Sequence, residues 1–310
     1  MMRVLVLGAN GFVGRHVMSA LSNAEGMSPI AGVRRSIPGE HVVLDARDKD
    51  QLQRALLNVD AVVNLVAGDA PSIVENARAL FAAAAETAVH VIYLSSMAVY
   101  GSATGNVNED ASLLGDVGPY SAAKVEAEVL ARSYPARLTI FRPGIIYGSG
   151  SPQWTTRIAS LLQARRIGDM GAAGDGCCNL VHVQDVVQAI LTALARHSEG
   201  HRAYNLSMPD APDWNRYFVQ FARALGAVPV KRVTSRRLKL ETKVFAIPLK
   251  LGEKLLGARL PPAITPSLAR SWQQDLRLDS TRATQELSMS WTALSDGLSE
   301  AVAGLKASRN

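Results

Sequence analysis

Two ionisable residues, Tyr120 and Lys124, stand four positions apart in the stretch GPYSAAKVE, at the start of a predicted helix. One helical turn places side chains at this spacing on the same face. An ammonium group beside the phenol would lower the pKa of Tyr120 from its reference value of about 10. A phenol tuned in this way can exchange a proton with a substrate hydroxyl or carbonyl while a hydride moves to or from a nicotinamide. The spacing also occurs by chance in many helices, so its meaning depends on the neighbouring elements.

A pair of serines offers a further polar group for the same site. Ser95 and Ser96 follow the predicted strand His90–Leu94 in the stretch YLSSMAVYG. Open α/β sheets keep their active crevices at the carboxyl ends of the strands, which is where these serines fall. We expect Ser96 to hydrogen-bond the same substrate oxygen as Tyr120, and Lys124 to reach the ribose of the nicotinamide as well.

A glycine-rich loop near the start of the chain predicts the cofactor. Gly8, Gly11 and Gly14 are spaced G-x-x-G-x-x-G, directly after one predicted strand and at the opening of a helix. Glycines in this context allow a tight turn, close approach of the backbone to a pyrophosphate and close packing of helix on strand. The helix N-terminus then offers free N–H groups to the anion.

The residues after the next strands bear on which dinucleotide binds. Arg34 and Arg35 stand in AGVRRS, where an acidic residue would mark NAD. Because arginine grips phosphate with two parallel hydrogen bonds, the pair favours the 2′-phosphate of NADP(H) over NAD(H). The alternative is that both arginines point into solvent. Asp45, in VVLDARD, is predicted either to accept from the adenine amino group or to cap the following helix.

Short apolar runs alternate with helical patterns through the first half of the chain. This alternation predicts a doubly wound parallel sheet, a Rossmann-type α/β fold. We expect a nucleotide-binding domain over residues 1–150 and a smaller α/β substrate domain over 151–310, with some elements crossing between them. The predicted strands are Arg3–Leu7, Pro29–Val33, His41–Leu44, Ala61–Asn64, His90–Leu94 and Leu138–Phe141, with Tyr204–Leu206 in the second domain. The predicted helices of the first half are Gly11–Asn23, Asp48–Asn58, Ser72–Thr87 and Tyr120–Ser133.

Charge is distributed unevenly over the 310 residues, whose net charge is +6. Residues 1–150 carry 12 Lys/Arg against 14 Asp/Glu, while residues 151–310 carry 21 against 13. This asymmetry suits an anionic small-molecule substrate near the second half. The basic and apolar segment 231–262 is predicted either to touch a membrane surface or, more simply, to pack on its own domain with a basic outer face. No recognised nucleic-acid-binding module accompanies it.

Other classes of protein are excluded by composition. No apolar stretch reaches the roughly 18–20 residues of a transmembrane helix. The two cysteines, Cys177 and Cys178, are adjacent, which gives neither a disulfide framework nor metal-ligand spacing. We therefore expect a cytoplasmic protein without a metal site.

Taken together, these stretches resemble the extended short-chain dehydrogenase/reductase family, often called NAD-dependent epimerase/dehydratases. The stretches that match are GANGFVG, LDARD, VVNLVAG, YLSSMAVYG, PYSAAKVEAE, FRPGIIYGSG and NLVHVQDVVQAI followed by YNLS. The resemblance implies that Ser96, Tyr120 and Lys124 form the catalytic triad. It also implies that a set of loop residues lies along the cofactor: Gly8, Gly11, Phe12, Val13, Arg34, Asp45, Ala67, Lys124 and Pro143. We add Asn10, Gly14, Arg35 and Tyr120 to this predicted cofactor site.

Three further points follow from comparison with the family's pattern. Asn76 matches a family asparagine close to the active site. The Asp-Glu pair with which 4,6-dehydratases eliminate water is replaced by Met97 and Ala98, which argues against elimination. The segment between Asn64 and Asn76 is short compared with sugar epimerases, which indicates a trimmed substrate loop.

Two enzymatic interpretations and one other remain open. In the first, the chain oxidises, reduces or epimerises a nucleotide sugar, whose phosphates contact Arg157, Arg165 or Arg166 and, on the resemblance, Arg270; Ser96 and Met97 would also touch this substrate. In the second, the substrate is an apolar or lipid-linked ketone. In the third, the chain is a non-catalytic NADP-binding sensor or assembly protein. Relatives often form homodimers through paired helices like the one that carries Tyr120.

Overall fold

A seven-stranded parallel sheet forms the centre of the computed structural model, which describes residues 1–196, 200–245 and 262–307, together with residue 249. Its strands are Met2–Leu7 (β1), Met27–Val33 (β2), His41–Val43 (β3), Ala61–Asn64 (β4), His90–Leu94 (β5), Leu138–Pro143 (β7) and His201–Leu206 (β10). Their spatial order is β10-β7-β5-β4-β1-β2-β3. The chain reverses direction across the sheet between β1 and β4, which opens a crevice at the carboxyl ends of these strands.

Eleven helices are seen among the described residues. They are Phe12–Asn23 (α1), Lys49–Leu56 (α2), Ala70–Ala84 (α3), Pro119–Arg132 (α4), Arg157–Gln163 (α5), Val183–Ala195 (α6), Trp214–Ala224 (α7), Ser235–Leu240 (α8), Pro266–Ser271 (α9), Thr281–Glu286 (α10) and Leu294–Ala307 (α11). Short 3₁₀ helices cover Met97–Tyr100 and Gly171–Gly174, and single π-helical turns cover Pro152–Thr156 and Glu241–Phe245. Four further strands form two small parallel pairs, Gly105–Val107 (β6) with Leu276–Leu278 (β11) and Ile145–Tyr147 (β8) with Leu180–His182 (β9).

The apolar side chains of β1 point alternately to the two faces of the sheet, which shows why helices cover both faces. Val4 and Val6 face one apolar layer, which α1 and α6 complete, while Leu5 and Leu7 face the layer made with α2, α3 and α4. Successive side chains of a strand point to opposite faces, so an uninterrupted apolar strand requires two layers of helices. The predicted Rossmann-type doubly wound fold is confirmed.

The second half of the chain contributes to two cores. A separate aromatic core lies among α5, α7, α9 and α11 and includes Trp214, Phe218 and Trp272. In contrast, α6 packs beside α1, and β10 pairs in parallel with β7 at the edge of the main sheet. The sequence predicts only Tyr204–Leu206 as a strand of the second domain, because the exposed His201 and Arg202 interrupt the apolar run at this sheet edge.

Two sequence expectations concern membranes. None of the helices within the described parts of the chain has the length and apolar character that crossing a membrane would require. Of the basic segment 231–262, residues 246–248 and 250–261 lie outside the described residues. Its described beginning forms α8, which buries Leu238 and exposes Leu240.

Candidate active site

The glycine loop between β1 and α1 is built so that a side chain would not fit. Gly8 has a φ of +80°, and a Cβ atom there would lie 2.9 Å from the carbonyl oxygen of Leu65. A Cβ on Gly14 would lie 2.2 Å from the Gly8 carbonyl oxygen. The Gly11 N–H donates to that same oxygen over 2.9 Å, which closes the turn. A close-packed turn of this kind leaves the first N–H groups of α1 to an anion, and the residues present therefore fit a dinucleotide pyrophosphate.

Around this loop, the other predicted cofactor residues occupy the ends of neighbouring strands. Asn10 is exposed, while Phe12 and Val13 are half-buried in the first turn of α1. Ala67 is exposed after β4, and Pro143 is the last residue of β7.

Arg34 and Arg35 directly follow β2, and both are exposed. Arg34 lies close enough to Asp45 to help lower the pKa of that carboxyl, although the main cause is a pair of hydrogen bonds from Arg47. Arg47 donates from Nε to Oδ1 over 3.1 Å and from Nη2 to Oδ2 over 2.8 Å. The alternative that Asp45 caps the next helix is wrong, because Asp48 caps α2 by accepting from the Gln51 N–H.

The serines that follow β5 differ in surroundings. Ser96 begins the 3₁₀ helix Met97–Tyr100, and its Oγ accepts from the Ala98 N–H over 3.2 Å. Ser95 is buried, and its Oγ has no hydrogen-bond partner among the described residues. The Ser96 hydroxyl lies near enough to the phenol of Tyr120 to act on its pKa, whereas Ser95 has no such effect.

Helix α4 brings Tyr120 and Lys124 to these serines. Pro119 occupies its first position, and Gly118, with a φ of +137°, turns the chain into it. The Ser121 hydroxyl donates to the Ala98 carbonyl over 2.6 Å, which ties the first turn of α4 to the 3₁₀ helix after β5. This contact holds Tyr120 near Ser96.

Lys124 is almost completely buried, with 3% of its surface exposed. Its Nζ donates to the Leu94 carbonyl over 2.9 Å and lies 5.3 Å from the centre of the Tyr93 ring. Burial lowers the pKa of Lys124 to about 8, and the carboxylate of Glu128 opposes this decrease. At neutral pH the ammonium form predominates.

Tyr120 does not have the lowered pKa that the sequence predicts. Burial raises the pKa of Tyr120, and the nearby Ser96 hydroxyl only partly offsets this increase. The residue as a whole is 46% exposed. The expectation was wrong because Lys124 points its ammonium at the Leu94 carbonyl instead of acting on the phenol.

The side chain of Asn76 fixes the loop that follows Asp45 through a hydrogen bond to its backbone. Its side chain accepts from Asn64 Nδ2 over 2.8 Å and donates to the Ala46 carbonyl over 2.7 Å. This buried residue links β4 to the loop before α2, on the cofactor side of the crevice.

The arginines predicted to bind substrate phosphate are in different situations. Arg166 is buried, forms an ion pair with Glu241 and donates to the Pro262 carbonyl over 2.8 Å, so its guanidinium serves the fold. Arg157 donates to the Ala263 carbonyl over 2.5 Å and to Gln153 over 3.2 Å. Arg165 is exposed. Arg270 is exposed as well and lines a cavity of about 460 Å³ together with Lys239, Leu238 and Ala173.

A buried ion pair behind the site was not predicted from the sequence. Glu128, one turn after Lys124 on α4, is paired with Arg142, the residue before Pro143. A lone arginine within the apolar run LTIFRP is a signal that such a partner exists, because charges are rarely buried unpaired.

A doubly wound sheet with a glycine loop on β1 and a serine, tyrosine and lysine gathered after β5 defines the short-chain dehydrogenase/reductase class. The chain belongs to the NAD dependent epimerase/dehydratase family, whose model matches residues 4–207. The predicted family is thus confirmed, and with it the dependence on a nicotinamide dinucleotide.

Individual relatives span nearly the whole chain. The (4-alkanoyl-5-oxo-2,5-dihydrofuran-3-yl)methyl phosphate reductase of Streptomyces griseus is 29% identical over 273 residues, which are 86% of this chain and 85% of the relative. The structure of MoeE5 in complex with UDP-glucuronic acid and NAD aligns with a TM-score of 0.75 at 24% identity, covering 99% of each chain.

A dehydratase has the same fold. The NAD dependent NDP-hexosamine 5,6-dehydratase TunA, involved in tunicamycin biosynthesis, aligns with a TM-score of 0.74 at 20% identity, covering 99% of this chain and 98% of its own. The fold is therefore compatible with elimination, and the prediction against it, which depends on Met97 and Ala98, stays a prediction.

Proposed function

We propose that the chain transfers a hydride between a nicotinamide dinucleotide and a carbonyl or secondary alcohol carbon of a nucleotide sugar, with Tyr120 as the acid/base. The observation that carries this proposal is that Ser96 and buried Lys124 lie at the carboxyl end of β5, with Tyr120 near Ser96. When bound, the cofactor supplies or accepts the hydride.

Each residue of the site has a distinct part in this proposal. Because burial raises the pKa of Tyr120, its phenol carries a proton at neutral pH and can donate it to a carbonyl oxygen that is being reduced. Ser96 hydrogen-bonds the same oxygen and orients it. Lys124, anchored by the Leu94 carbonyl, contributes a positive charge to the floor of the crevice.

The substrate is proposed to be anionic. MoeE5 is seen with UDP-glucuronic acid, TunA acts on an NDP-hexosamine, and the Streptomyces griseus reductase acts on a phosphate ester. The excess of Lys/Arg in residues 151–310 suits such a group. Arg270 and Lys239, two exposed cations that line the cavity of about 460 Å³, are the residues we propose to contact it.

A second candidate is the reduction of a smaller phosphorylated carbonyl compound. Arg166 is paired with Glu241, and Arg157 binds the Ala263 carbonyl. Two of the cations predicted to hold a diphosphate are thereby engaged within the protein, which favours a substrate with a single phosphate.

NADP(H) is proposed as the preferred cofactor. Two exposed arginines at the end of β2 support this choice, because they stand where a 2′-phosphate would need bidentate cationic partners. No acidic residue occupies that position.

Turnover by the purified chain tests the function directly. Reduced and oxidised cofactors are supplied with nucleotide sugars and with phosphorylated ketones. Net redox is followed by nicotinamide absorbance, and epimerisation by proton NMR of the sugar. We expect Tyr120→Phe to reduce turnover about a hundredfold or more, since general acid–base catalysis contributes that much.

Tyr134→Phe is the matched control, because the hydroxyl of Tyr134 bonds the Val89 carbonyl at the opposite end of β5. It should retain activity. Cofactor binding without turnover of any substrate would instead favour a sensor or assembly role.

A further inference from the structure

The cavity of about 460 Å³ lies between the short helices α8 and α9 in the second half of the chain. Its lining divides into two parts by burial. Leu238 and Ala269 are 8% and 7% exposed, and together with half-buried Ala173 they form what we call the floor. Lys239 and Arg270 are exposed, and we call them the rim. The cavity thus has an apolar floor beneath a cationic rim.

The periodicity of the two helices produces this division. In α8, Leu238 packs into the aromatic core that includes Trp272, whereas the next residue, Lys239, is turned by about 100° around the helix axis and is exposed. In α9, Ala269 and Arg270 repeat the pattern. The mixture of basic and apolar residues in this part of the sequence therefore folds, where it is described, into helices with an apolar inner side and a cationic outer side.

Two polar side chains that border the floor are already hydrogen-bonded. The Thr242 hydroxyl donates to the Leu238 carbonyl over 2.9 Å, and Gln273 Nε2 donates to the Ala269 carbonyl over 3.5 Å. A ligand that buried polar atoms against this floor would leave them without partners, which is unfavourable. The floor therefore favours an apolar group, such as an alkyl or acyl chain.

The carboxylates near the rim are paired with other cations. Glu241 forms an ion pair with Arg166, and Asp169 lies 3.9 Å from Arg232. Within the described parts of the chain, neither Lys239 nor Arg270 forms an ion pair. Two adjacent cations without a carboxylate partner suit a phosphate group, which accepts several charge-assisted hydrogen bonds.

The cavity adjoins the element that carries Ser96. Gln273, which lines the cavity, is followed by Gln274, whose Nε2 donates to the Gly101 carbonyl over 2.8 Å. Gly101 directly follows the 3₁₀ helix that begins after Ser96. Because a 3₁₀ helix rises about 2 Å per residue, roughly 10 Å separate Ser96 from Gly101. One small molecule can extend over this distance from the site to the cavity.

We propose that the substrate is an anionic amphiphile, a phosphate ester whose phosphate contacts Lys239 and Arg270 and whose alkyl or acyl chain lies on the floor of the cavity. The inference deepens the second candidate of the proposed function, the smaller phosphorylated carbonyl compound, and rests on it. A phospholipid with a phosphate headgroup shares this chemistry, so the experiment must separate a soluble ester from a membrane lipid.

Binding of alkyl phosphates to the full-length chain tests the proposal without turnover. Butyl, hexyl and octyl phosphate are titrated by calorimetry below their critical micelle concentrations. We expect the affinity to rise about two- to fourfold for each added methylene, the gain that burial of a methylene group gives. An affinity that does not depend on chain length would overturn the proposal.

Ala172→Phe places a ring in the cavity from an exposed position, so the core need not repack. We expect this variant to lose the dependence on chain length, and Lys239→Ala/Arg270→Ala to bind every alkyl phosphate about tenfold more weakly or worse. Ala303→Phe, at an exposed alanine of α11 that does not line the cavity, is the matched control and should bind like the wild type. A chain-length dependence that persists in Ala172→Phe would show that the chains bind elsewhere, which contradicts the proposal.

Two further probes identify the source of the ligand. Sedimentation with vesicles of phosphatidylcholine and phosphatidic acid, abolished by Ala172→Phe, would assign the cavity to a membrane lipid. Binding of octyl phosphate without binding of vesicles would assign it to a soluble ester, and both results support an anionic amphiphile.

UDP is the probe for the competing ligand class. Tighter binding of UDP than of octyl phosphate, weakened by Ala172→Phe, would overturn the inference and support a nucleotide sugar. Conversely, if alkyl phosphates bind as expected but no phosphorylated ketone is turned over, the amphiphile site stands and the proposed function fails.

Discussion

Tyr120 and Lys124 act on different partners in the resting protein, although they lie one turn apart. Lys124 donates a hydrogen bond to the Leu94 carbonyl, while the pKa of Tyr120 is influenced by burial and by the nearby Ser96 hydroxyl. The phenol is therefore a proton donor at neutral pH. Under the proposed function, reduction of a carbonyl would use this phenol proton directly, whereas oxidation of an alcohol would first require its removal.

Arg34 and Arg35 give a residue-scale prediction on cofactor choice. We expect Arg34→Ala/Arg35→Ala to weaken NADPH binding about tenfold or more and NADH binding much less, because charge-assisted hydrogen bonds to a phosphate contribute roughly 1.5–3 kcal/mol each. Fluorescence titration of each cofactor measures both affinities.

Arg54→Ala/Arg78→Ala, which removes two exposed arginines from α2 and α3, controls for the change in net charge. Equal losses for NADPH and NADH in the double variant would remove the argument for a 2′-phosphate site.

At the scale of elements, strands β5 and β7 are joined at their amino ends by a buried histidine. His90 Nε2 lies 3.1 Å from the Thr139 hydroxyl, and Arg137 Nη2 lies 3.2 Å from Nδ1. Burial, aided by the charge of Arg137, lowers the pKa of His90 to about 4. The imidazole is consequently neutral throughout the physiological range.

This lowered pKa predicts a loss of stability in mild acid. Between about pH 6.5 and 4, the unfolded chain binds a proton at His90 while the folded chain does not, so the free energy of unfolding falls as the pH decreases. The loss reaches about 3 kcal/mol, since one pKa unit corresponds to about 1.4 kcal/mol. Urea unfolding of the wild type and His90→Gln at pH 7 and 4.5 should show a smaller pH effect in the variant. An identical pH effect in both would contradict the assignment.

Strong local patterns made most elements of the first half predictable. The strand Ala61–Asn64 and the strand His90–Leu94 have the predicted bounds, because uninterrupted apolar runs of this length fit a parallel sheet covered on both faces. The sequence predicts only the second half of the edge strand β10, Tyr204–Leu206, because the polar residues His201 and Arg202 interrupt the apolar pattern at its start. Edge strands tolerate such residues because one side of the strand is open to solvent.

The sequence predicts site residues best where two of them lie on the same helix or turn, because their spacing along the chain then fixes how close they are in space. Tyr120 and Lys124 share a helix face, and Gly8 and Gly14 share a turn. The direction of the Lys124 ammonium was not readable, because a long side chain can reach either the phenol or the strand end behind it. The partner of Arg166 was equally hidden, since Glu241 lies far along the chain.

At the scale of the whole molecule, helices α3 and α4 lie side by side against the sheet and present an outer surface. Val129 on α4 is 50% exposed, and Arg78 of α3 pairs with Glu126 of α4 on this surface. We propose that the chain forms a homodimer through this surface.

Sedimentation velocity tests this expectation. The wild type should sediment as a dimer at micromolar concentration, and Val129→Arg should shift it toward the monomer because a charge would be buried at the interface. Val43→Arg, at an equally exposed valine on β3, should not. A monomeric wild type would rule out the homodimer.

Strand β10 also determines when the site can be completed during synthesis. The glycine loop, Ser96, Tyr120 and Lys124 all leave the ribosome before residue 201, yet β7 gains its outer neighbour and Tyr100 its acceptor only when β10 arrives with Asn205. Until then, β7 is an open sheet edge, and the Tyr100 hydroxyl, which accepts from Arg142 Nη1, lacks its own acceptor. The nascent first half therefore exposes β7 as an unpaired sheet edge, to which other chains can add a strand. Asn205, the acceptor for the Tyr100 hydroxyl, lies on the last strand of the sheet to be translated.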